Sequence, residues 1–468
     1  MRSLLPPLPS LARPKVSATD ELVTLLQAPD YRRWLYRRLA GLFFVAALVA
    51  ALGKGWSRQQ PFELIVSDGR WSYAYLSSII VDGDVDFTNQ MREHWGADFH
   101  SGLLEHRTPS GMVSNQYPIG MALTLLPPFL VAHGASLAIH PISGSSWFVA
   151  DGYNSLYQVA CLAWIIFLGW WTYRFIDRLL VQHFRVSERV VGYSVLVYWV
   201  GTGYAYYLFR EPFMVHVVSS FWVTACILLV AELRQKLQER QLDGWRLPGL
   251  VFTLNMALVC RPSDLFLAPF IGLLVFEAVR QKMLGPVLRQ LPKMVLGFVP
   301  VAVQMVVWHE LSGRWLFYSY SGETFQWNQP ALWQTLFSSR HGLFFWSPIL
   351  LCAALGIGWR MTRRSTKPGQ PLLICYVLSF LILWYLNSAS QTWWFGDSFG
   401  ARAFLELSSL FVLGLATFAE MIFEKVQAGA RRPVLLGLGL ATVVFNIGLM
   451  ALYISHKISR GDALIAGF

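Results

Sequence analysis

Charge is scarce in this chain. Only 14% of its residues are Asp, Glu, Lys or Arg, while 55% are hydrophobic. A soluble domain does not carry apolar runs near 20 residues time after time, and such runs are long enough to cross a hydrocarbon core of about 30 Å. Cysteine is scarce as well. The five present (Cys161, Cys226, Cys260, Cys352 and Cys375) lie in or beside apolar runs, without CxxC spacing. They read as core thiols, with no disulfide or zinc role. There is no G-x-x-x-x-G-K-[ST] and no G-x-G-x-x-G in strand context, so no nucleotide-binding domain is expected. A cleavable leader is also missing: the first 38 residues are Pro-rich and basic, and no A-x-A-like site follows the first apolar run.

What is present is a series of apolar segments. The fold class expected is an all-α polytopic membrane protein, because helices are the open structures that satisfy their backbone in lipid. Candidate spans run over 39–55, 152–173, 190–208, 212–233, 247–260, 263–279, 294–311, 343–359, 371–388, 401–422 and 433–454. That makes about 11 transmembrane helices, within a range of roughly 10 to 13. The segment 118–138 is ambiguous: it carries Pro118 and the Pro127-Pro128 pair, and no Lys or Arg flanks it.

The +11 net charge does not point to nucleic acid, because of where the charge falls. Basic residues cluster at Arg174–Arg189, Arg234–Arg246, Arg280–Lys293, Arg360–Lys367 and Lys425–Arg432. The positive-inside rule assigns these clusters and the basic N-terminus to the cytoplasm. With 118–138 taken as a juxtamembrane or re-entrant helix, 26 of the 38 Lys and Arg fall inside. The expected organisation is a cytoplasmic amphipathic N-terminus (1–38), a first span (39–55) and a large extracytoplasmic loop with juxtamembrane helices (56–151). A bundle (152–455) and an extracytoplasmic tail (456–468) follow. The stretch YRRWLYRRL (31–39) suits anionic lipid on the inner leaflet. The expected location is the cytoplasmic membrane, with the working face outward.

On that face the sequence gathers ionisable residues beside aromatics, Pro and Gly. They stand in SDGRWSYAYLSSIIVDGDVDF (67–87), REPFMVH (210–216), CRPSD (260–264), SSRHGLFFWSP (338–348) and WWFGDSFGAR (393–402). Ionisable groups at a membrane edge are costly and are functional candidates by default.

This layout resembles the glycosyltransferase C superfamily, whose members use polyprenyl-phosphate sugars and include the aminoarabinose transferases of lipid A and the protein O-mannosyltransferases. In that family a short span leads to an outer loop that starts with a carboxylate, followed by a juxtamembrane helix and an acidic element containing Gly-Asp. Here Asp68, the helical RWSYAYLSSII and VDGDVDF (81–87) match that order. NQYPIG (115–120) looks like the family's Pro-rich segment, and Glu211 like its next acidic position. There are two departures. Gly69 follows Asp68 where a second carboxylate often stands, and Gln116-Tyr117 replace a Lys, which leaves the phosphate-binding cation unassigned. The resemblance implies an inverting transfer from a polyprenyl-phosphate sugar donor to a lipid-linked, glycan or protein acceptor.

Such a transfer needs a base for the acceptor hydroxyl and positive charge for the departing phosphate. Asp68 is the candidate base; the structural alternative is an N-cap for a helix over 70–81. Asp82 and Asp84 are candidates for gripping sugar hydroxyls or ordering the loop. No cofactor is required, but a divalent metal on Asp82, Asp84, Asp86 and Glu93 is one alternative, since D-x-D-x-D with a later Glu approaches a calcium loop. Phe87 stands where that loop needs glycine. Tyr73 and Tyr117 are candidates for the substrate, Tyr73 either by stacking on sugar or as part of the interface. Candidate phosphate ligands are Arg261, Arg340 with His341, and Arg402. Their alternatives are an Arg261–Asp264 pair, an interfacial anchor at Arg340, and an Arg402–Asp397 pair. His216, one turn into a span, reads as a packed histidine. Rival functions are a transporter or flippase of lipid-linked glycans, which needs charge at mid-membrane, and a polymerase using diphosphate-linked oligosaccharides. The orientation is open to test: in a cysteine-free background, Ser145→Cys should react with an impermeant thiol reagent on intact cells and His183→Cys should not. The reverse pattern overturns the map.

Overall fold

A computed structural model describes residues 38, 41–46, 48–49, 52–53, 63–94, 107–242, 244–320, 323–363 and 369–464. The expected N-terminal amphipathic segment lies outside these residues. Of the first span, 41–46, 48–49 and 52–53 are described, and they are helical. No strand forms among the described residues; only two isolated bridges, Arg107 with Val113 and Phe325 with Ser390, are present.

Fourteen principal helices follow in chain order. They are α1 Gly69–Ser77, α2 Thr88–His94, α3 Gly120–Ser143, α4 Ser155–His183, α5 Glu188–Gly201, α6 Tyr204–Phe209 and α7 Val215–Gln238. Then come α8 Arg246–Cys260, α9 Ala268–Arg280, α10 Val299–Ser312, α11 Ile349–Thr362, α12 Gln370–Ala389, α13 Ser408–Lys425 and α14 Ala428–Ile454. Counting the tight turns that lead into α9, α10 and α13, eight helical segments are long and apolar enough to cross a membrane. The chain is thus an all-α, multi-pass membrane protein.

Local chemistry sets the breaks. Arg261 is extended because Pro262 follows it, so α8 stops there and the chain restarts through a 3-10 turn. Asn154 caps α4 by accepting from the Leu156 N–H. Gly144 and Gly313 close α3 and α10 with left-handed backbone. The expected single segment over 190–208 is two helices, because Thr202 is extended and Gly203 lies against the Phe399 carbonyl.

The segment expected as a juxtamembrane helix is α3, a continuous helix of 24 residues that contains Pro127, Pro128 and Pro141. At about 36 Å it has the length of a full crossing. Its contacts bind it to two other helices. Gly120 packs on Val259 and Cys260 at the end of α8, and Ser136 meets Asn154 at the start of α4.

The opposite end is held by ion pairs. Glu232 takes Arg178 at 2.7 Å and Arg246 at 3.6 Å, and the buried Glu277 takes Arg280 at 2.6 Å and Arg234 at 3.2 Å. Glu420 meets Arg360, and Glu424 meets Arg363. Many of the basic residues noted in the sequence are therefore tied between helices.

The closest helix seam joins α11 to α13. A Cβ on Gly356 would lie 2.1 Å from the Gly414 carbonyl, and one on Gly414 would lie 2.6 Å from the Ala353 carbonyl. Small residues let backbones meet where no hydrophobic effect drives helices together. Gly414→Val should cost about 1–3 kcal/mol by overpacking, seen as a lower melting temperature in detergent. Gly358→Ala, which meets nothing within 4 Å, should leave it nearly unchanged. Equal effects would refute the seam.

Candidate active site

The site begins in a tight turn. Ser67 is left-handed at φ 54°, and the Gly69 and Arg70 N–H groups donate back to Val66 and Ser67. Asp68 stands at the N-cap position of α1, yet its side chain caps nothing. Its Oδ2 instead accepts from Arg402 Nη2 at 2.8 Å. Arg402 opens the 3-10 turn Arg402–Leu407 that leads into α13. This contact joins a residue that precedes α1 to one more than 300 positions later, and it replaces both expected alternatives, the helix cap and the Arg402–Asp397 pair. The glycine after Asp68 also has a cause: a Cβ there would lie 2.8 Å from Phe213 Cβ. A second carboxylate at position 69 has no room.

Tyrosines and two more carboxylates enclose the pair. Tyr117 lies within hydrogen-bonding reach of Asp68. Burial first, and then the Asp68 charge, push its phenol well above the usual value, while Arg402 pulls the other way. The Tyr320 ring packs edge-on to Tyr117 with centroids 5.8 Å apart. The Tyr207 hydroxyl is fixed between the backbone N–H and carbonyl of Phe399. Glu211 accepts from the Tyr206 hydroxyl at 2.8 Å and lies within electrostatic range of Arg402. Glu323 stands at the rim, where desolvation and then repulsion from Asp68 raise its carboxyl, against the pull of Arg402. The loop bearing Tyr320 is pinned by Ser319, whose hydroxyl donates to the Gln116 carbonyl at 2.7 Å.

A second charged cluster adjoins the first. Arg261 Nη1 donates to Glu406 Oε1 at 2.6 Å, and His216 Nδ1 lies 2.8 Å from the same oxygen. Arg261 therefore pairs with Glu406 and not with Asp264; the Asp264 side chain takes the Ser219 hydroxyl. Glu406 and Asp264 are fully buried. Tyr207 bridges the clusters: its ring lies 5.4 Å from that of His216, and it also feels the Arg402 charge. His216 is packed, as its position suggests, but packed as the partner of a buried carboxylate.

Of the expected site residues, Asp68, Tyr117, Glu211, Arg261 and Arg402 meet here. Others are engaged elsewhere. Asp82 accepts from the Asn89 and Gln90 amides, Asp84 from the Ser78 hydroxyl and the Asp86 N–H, and Asp86 from Thr88 and the Val113 N–H. These bonds order the loop that ends a π-helical turn at Gly83. Glu93 sits on α2, and among the described residues no three His, Cys, Asp or Glu side chains are grouped to hold a metal. Tyr73 is wholly buried, with its hydroxyl on the Gly152 carbonyl, so it has no face to offer a sugar. Arg340 stacks on Trp394 at 3.7 Å and donates to the Gly461 carbonyl at 2.6 Å. His341 is buried behind the same loop, 2.7 Å from the Trp394 carbonyl.

Sequence reasoning missed Tyr207, Tyr320, Glu323 and Glu406. Glu406 alone carried a signal, as an acid inside an apolar span. The bundle also holds an aromatic cleft of about 590 Å³, lined by residues that include Trp164, Phe167, Trp171, Phe221, Trp222 and Phe252. It reaches Met256, just over one turn before Arg261. Comparison with models of protein families, with curated proteins and with solved structures found no match to this chain.

The buried imidazole allows a pH test. Burial lowers His341 from 6.5 to about 4, against the bond to the Trp394 carbonyl. Between those values the unfolded chain binds more protons than the folded one. This share of stability is therefore intact above pH 6.5 and is lost as pH falls towards 4. His341→Gln should flatten the melting-temperature profile over that interval. Parallel profiles for wild type and variant would reject this role.

Proposed function

We propose that the chain is an integral-membrane glycosyltransferase of the C type, moving a sugar from a polyprenyl-phosphate donor to a hydroxyl acceptor at the outer face of the cytoplasmic membrane. The observation that carries this is the Asp68–Arg402 contact: a carboxylate and a guanidinium 2.8 Å apart, at one end of a bundle that also holds an apolar cleft. A lipid phosphate sugar asks for this division. Its chain needs an apolar channel, its phosphate needs positive charge, and its acceptor needs a base.

In this scheme about 11 spans surround the site, and α3 lies obliquely in the outer leaflet with both ends outward. The polyprenyl chain occupies the aromatic cleft. The phosphate meets Arg402 and Arg261, whose planar forks suit phosphate oxygens. Asp68 takes the acceptor proton as the acceptor oxygen attacks the anomeric carbon. The bond from that carbon to the phosphate oxygen breaks, the electron pair leaves with the lipid phosphate, and the configuration inverts. The acceptor is a lipid-linked glycan, a glycan or a protein. Membrane lipids fill the remaining surface.

The Asp68–Arg402 contact also requires that the base be released before it acts. An incoming phosphate competes for Arg402 and frees Asp68. Removing a general base typically costs about 10²–10⁴ in rate. Asp68→Asn should therefore abolish turnover of a polyprenyl-phosphate sugar while the variant still binds it. Near-full activity in Asp68→Asn would return Asp68 to a structural role. Efficient transfer from a nucleotide sugar without lipid carrier would overturn the donor class.

A further inference from the structure

The buried cluster beside the site has no part in proton transfer as described, yet it is costly to keep. Glu406 is fully buried, and His216 and Ser219 are nearly so. A buried carboxylate persists only when it is paired and hydrogen-bonded. Glu406 Oε1 takes both Arg261 and His216, while its Oε2 has no hydrogen-bond partner among the described residues. The arrangement is lopsided: one carboxylate oxygen grips one prong of Arg261. Arg261 sits between α8 and the turn into α9, with its side chain 18% exposed. The contact to Glu406 runs through Nη1 of the fork. Tyr320 lies within electrostatic range of both Arg261 and Asp68.

Resting on the glycosyltransferase proposal, we infer that Glu406, steadied by His216, is a positioning residue that holds Arg261 as a second cationic prong for the lipid phosphate, beside Arg402. A guanidinium clamped at Nη1 keeps its planar fork in one orientation, and the ordering needed to bind phosphate is then already in place. Two arginines serve better than one here, because Arg402 is also engaged with Asp68. Arg261 is held by a carboxylate that does no chemistry, so it stays on the phosphate while Asp68 changes partner.

The test uses the full chain in phosphatidylcholine nanodiscs and measures binding of decaprenyl phosphate, with decaprenol as the uncharged control. A hydrogen bond to a charged group is worth about 1.5–3 kcal/mol, or roughly ten- to a hundredfold in affinity. Arg261→Ala should weaken decaprenyl phosphate by that factor and leave decaprenol unchanged. Glu406→Gln should weaken it about tenfold, and the double variant should lose no more than Arg261→Ala alone, because Glu406 acts through Arg261. Should Glu406→Gln fail to fold, Arg261→Lys decides. Its single ammonium can stay on Glu406 but cannot also reach the phosphate as a fork, so a loss close to that of Arg261→Ala is expected. Additive losses in the double variant overturn the inference. So does a Glu406→Gln that melts lower with unchanged affinity, or an Arg261→Lys that binds like wild type. If wild type does not prefer decaprenyl phosphate to decaprenol, the glycosyltransferase proposal itself falls, and this inference with it.

Discussion

The contact between Asp68 and Arg402 is the constraint on which the rest of the site depends. It joins the turn before α1 to the turn before α13, and so fastens the segment over 63–94 to the bundle. Once these two residues meet, Tyr117, Tyr207, Glu211 and Glu323 have a fixed field to sit in. The bare α-carbon at Gly69, pressed on Phe213, allows the approach. A side chain there would lift α1 off the start of α7 and pull the carboxylate from its partner.

The molecule is polarised along its helices. At one end the carboxylates sit among tyrosines and two arginines in a partly open cluster. At the other, Glu232 holds Arg178 and Arg246 from two other helices, and Glu277 holds Arg234 from another helix and Arg280 from its own. In an apolar surrounding an unpaired charge is expensive. The pairs at one end link helices along their polar ends, whereas Asp68–Arg402 and Arg261–Glu406 at the other are less exposed and stand among tyrosines. The aromatic cleft is nearly free of polar groups.

The sequence and the structure part company at specific residues. Asp82, Asp84 and Asp86 looked like ligands by their spacing, but short-range amide and hydroxyl donors satisfy them. In a tight loop those donors are always nearer than a substrate. Arg340 with His341 stood beside Arg261 and Arg402 as a candidate phosphate ligand. In the fold Trp394 and the Gly461 carbonyl take its guanidinium, and both come from distant parts of the chain. Glu406 was hidden because an acid inside an apolar run has no local sign of its partner, and His216 and Arg261 lie on other helices.

The sequence by itself determined the class of protein and most helix limits. Apolar length, Pro and Gly are local properties, and a helix satisfies its backbone within its own segment. It also singled out Asp68 as the leading carboxylate, because the residue stands where an apolar run gives way to a turn. Only the tertiary structure decided which cation meets Asp68, which arginine meets Glu406 and which is absorbed by the fold. It decided as well that α3 packs on the end of α8 and the start of α4. Those outcomes turn on pairs far apart in sequence, and an ion pair in a membrane protein is selected by which helix ends converge. Helix-to-helix packing sets that convergence through contacts such as Gly356 on Gly414 and Gly120 on Cys260, and no single segment encodes it.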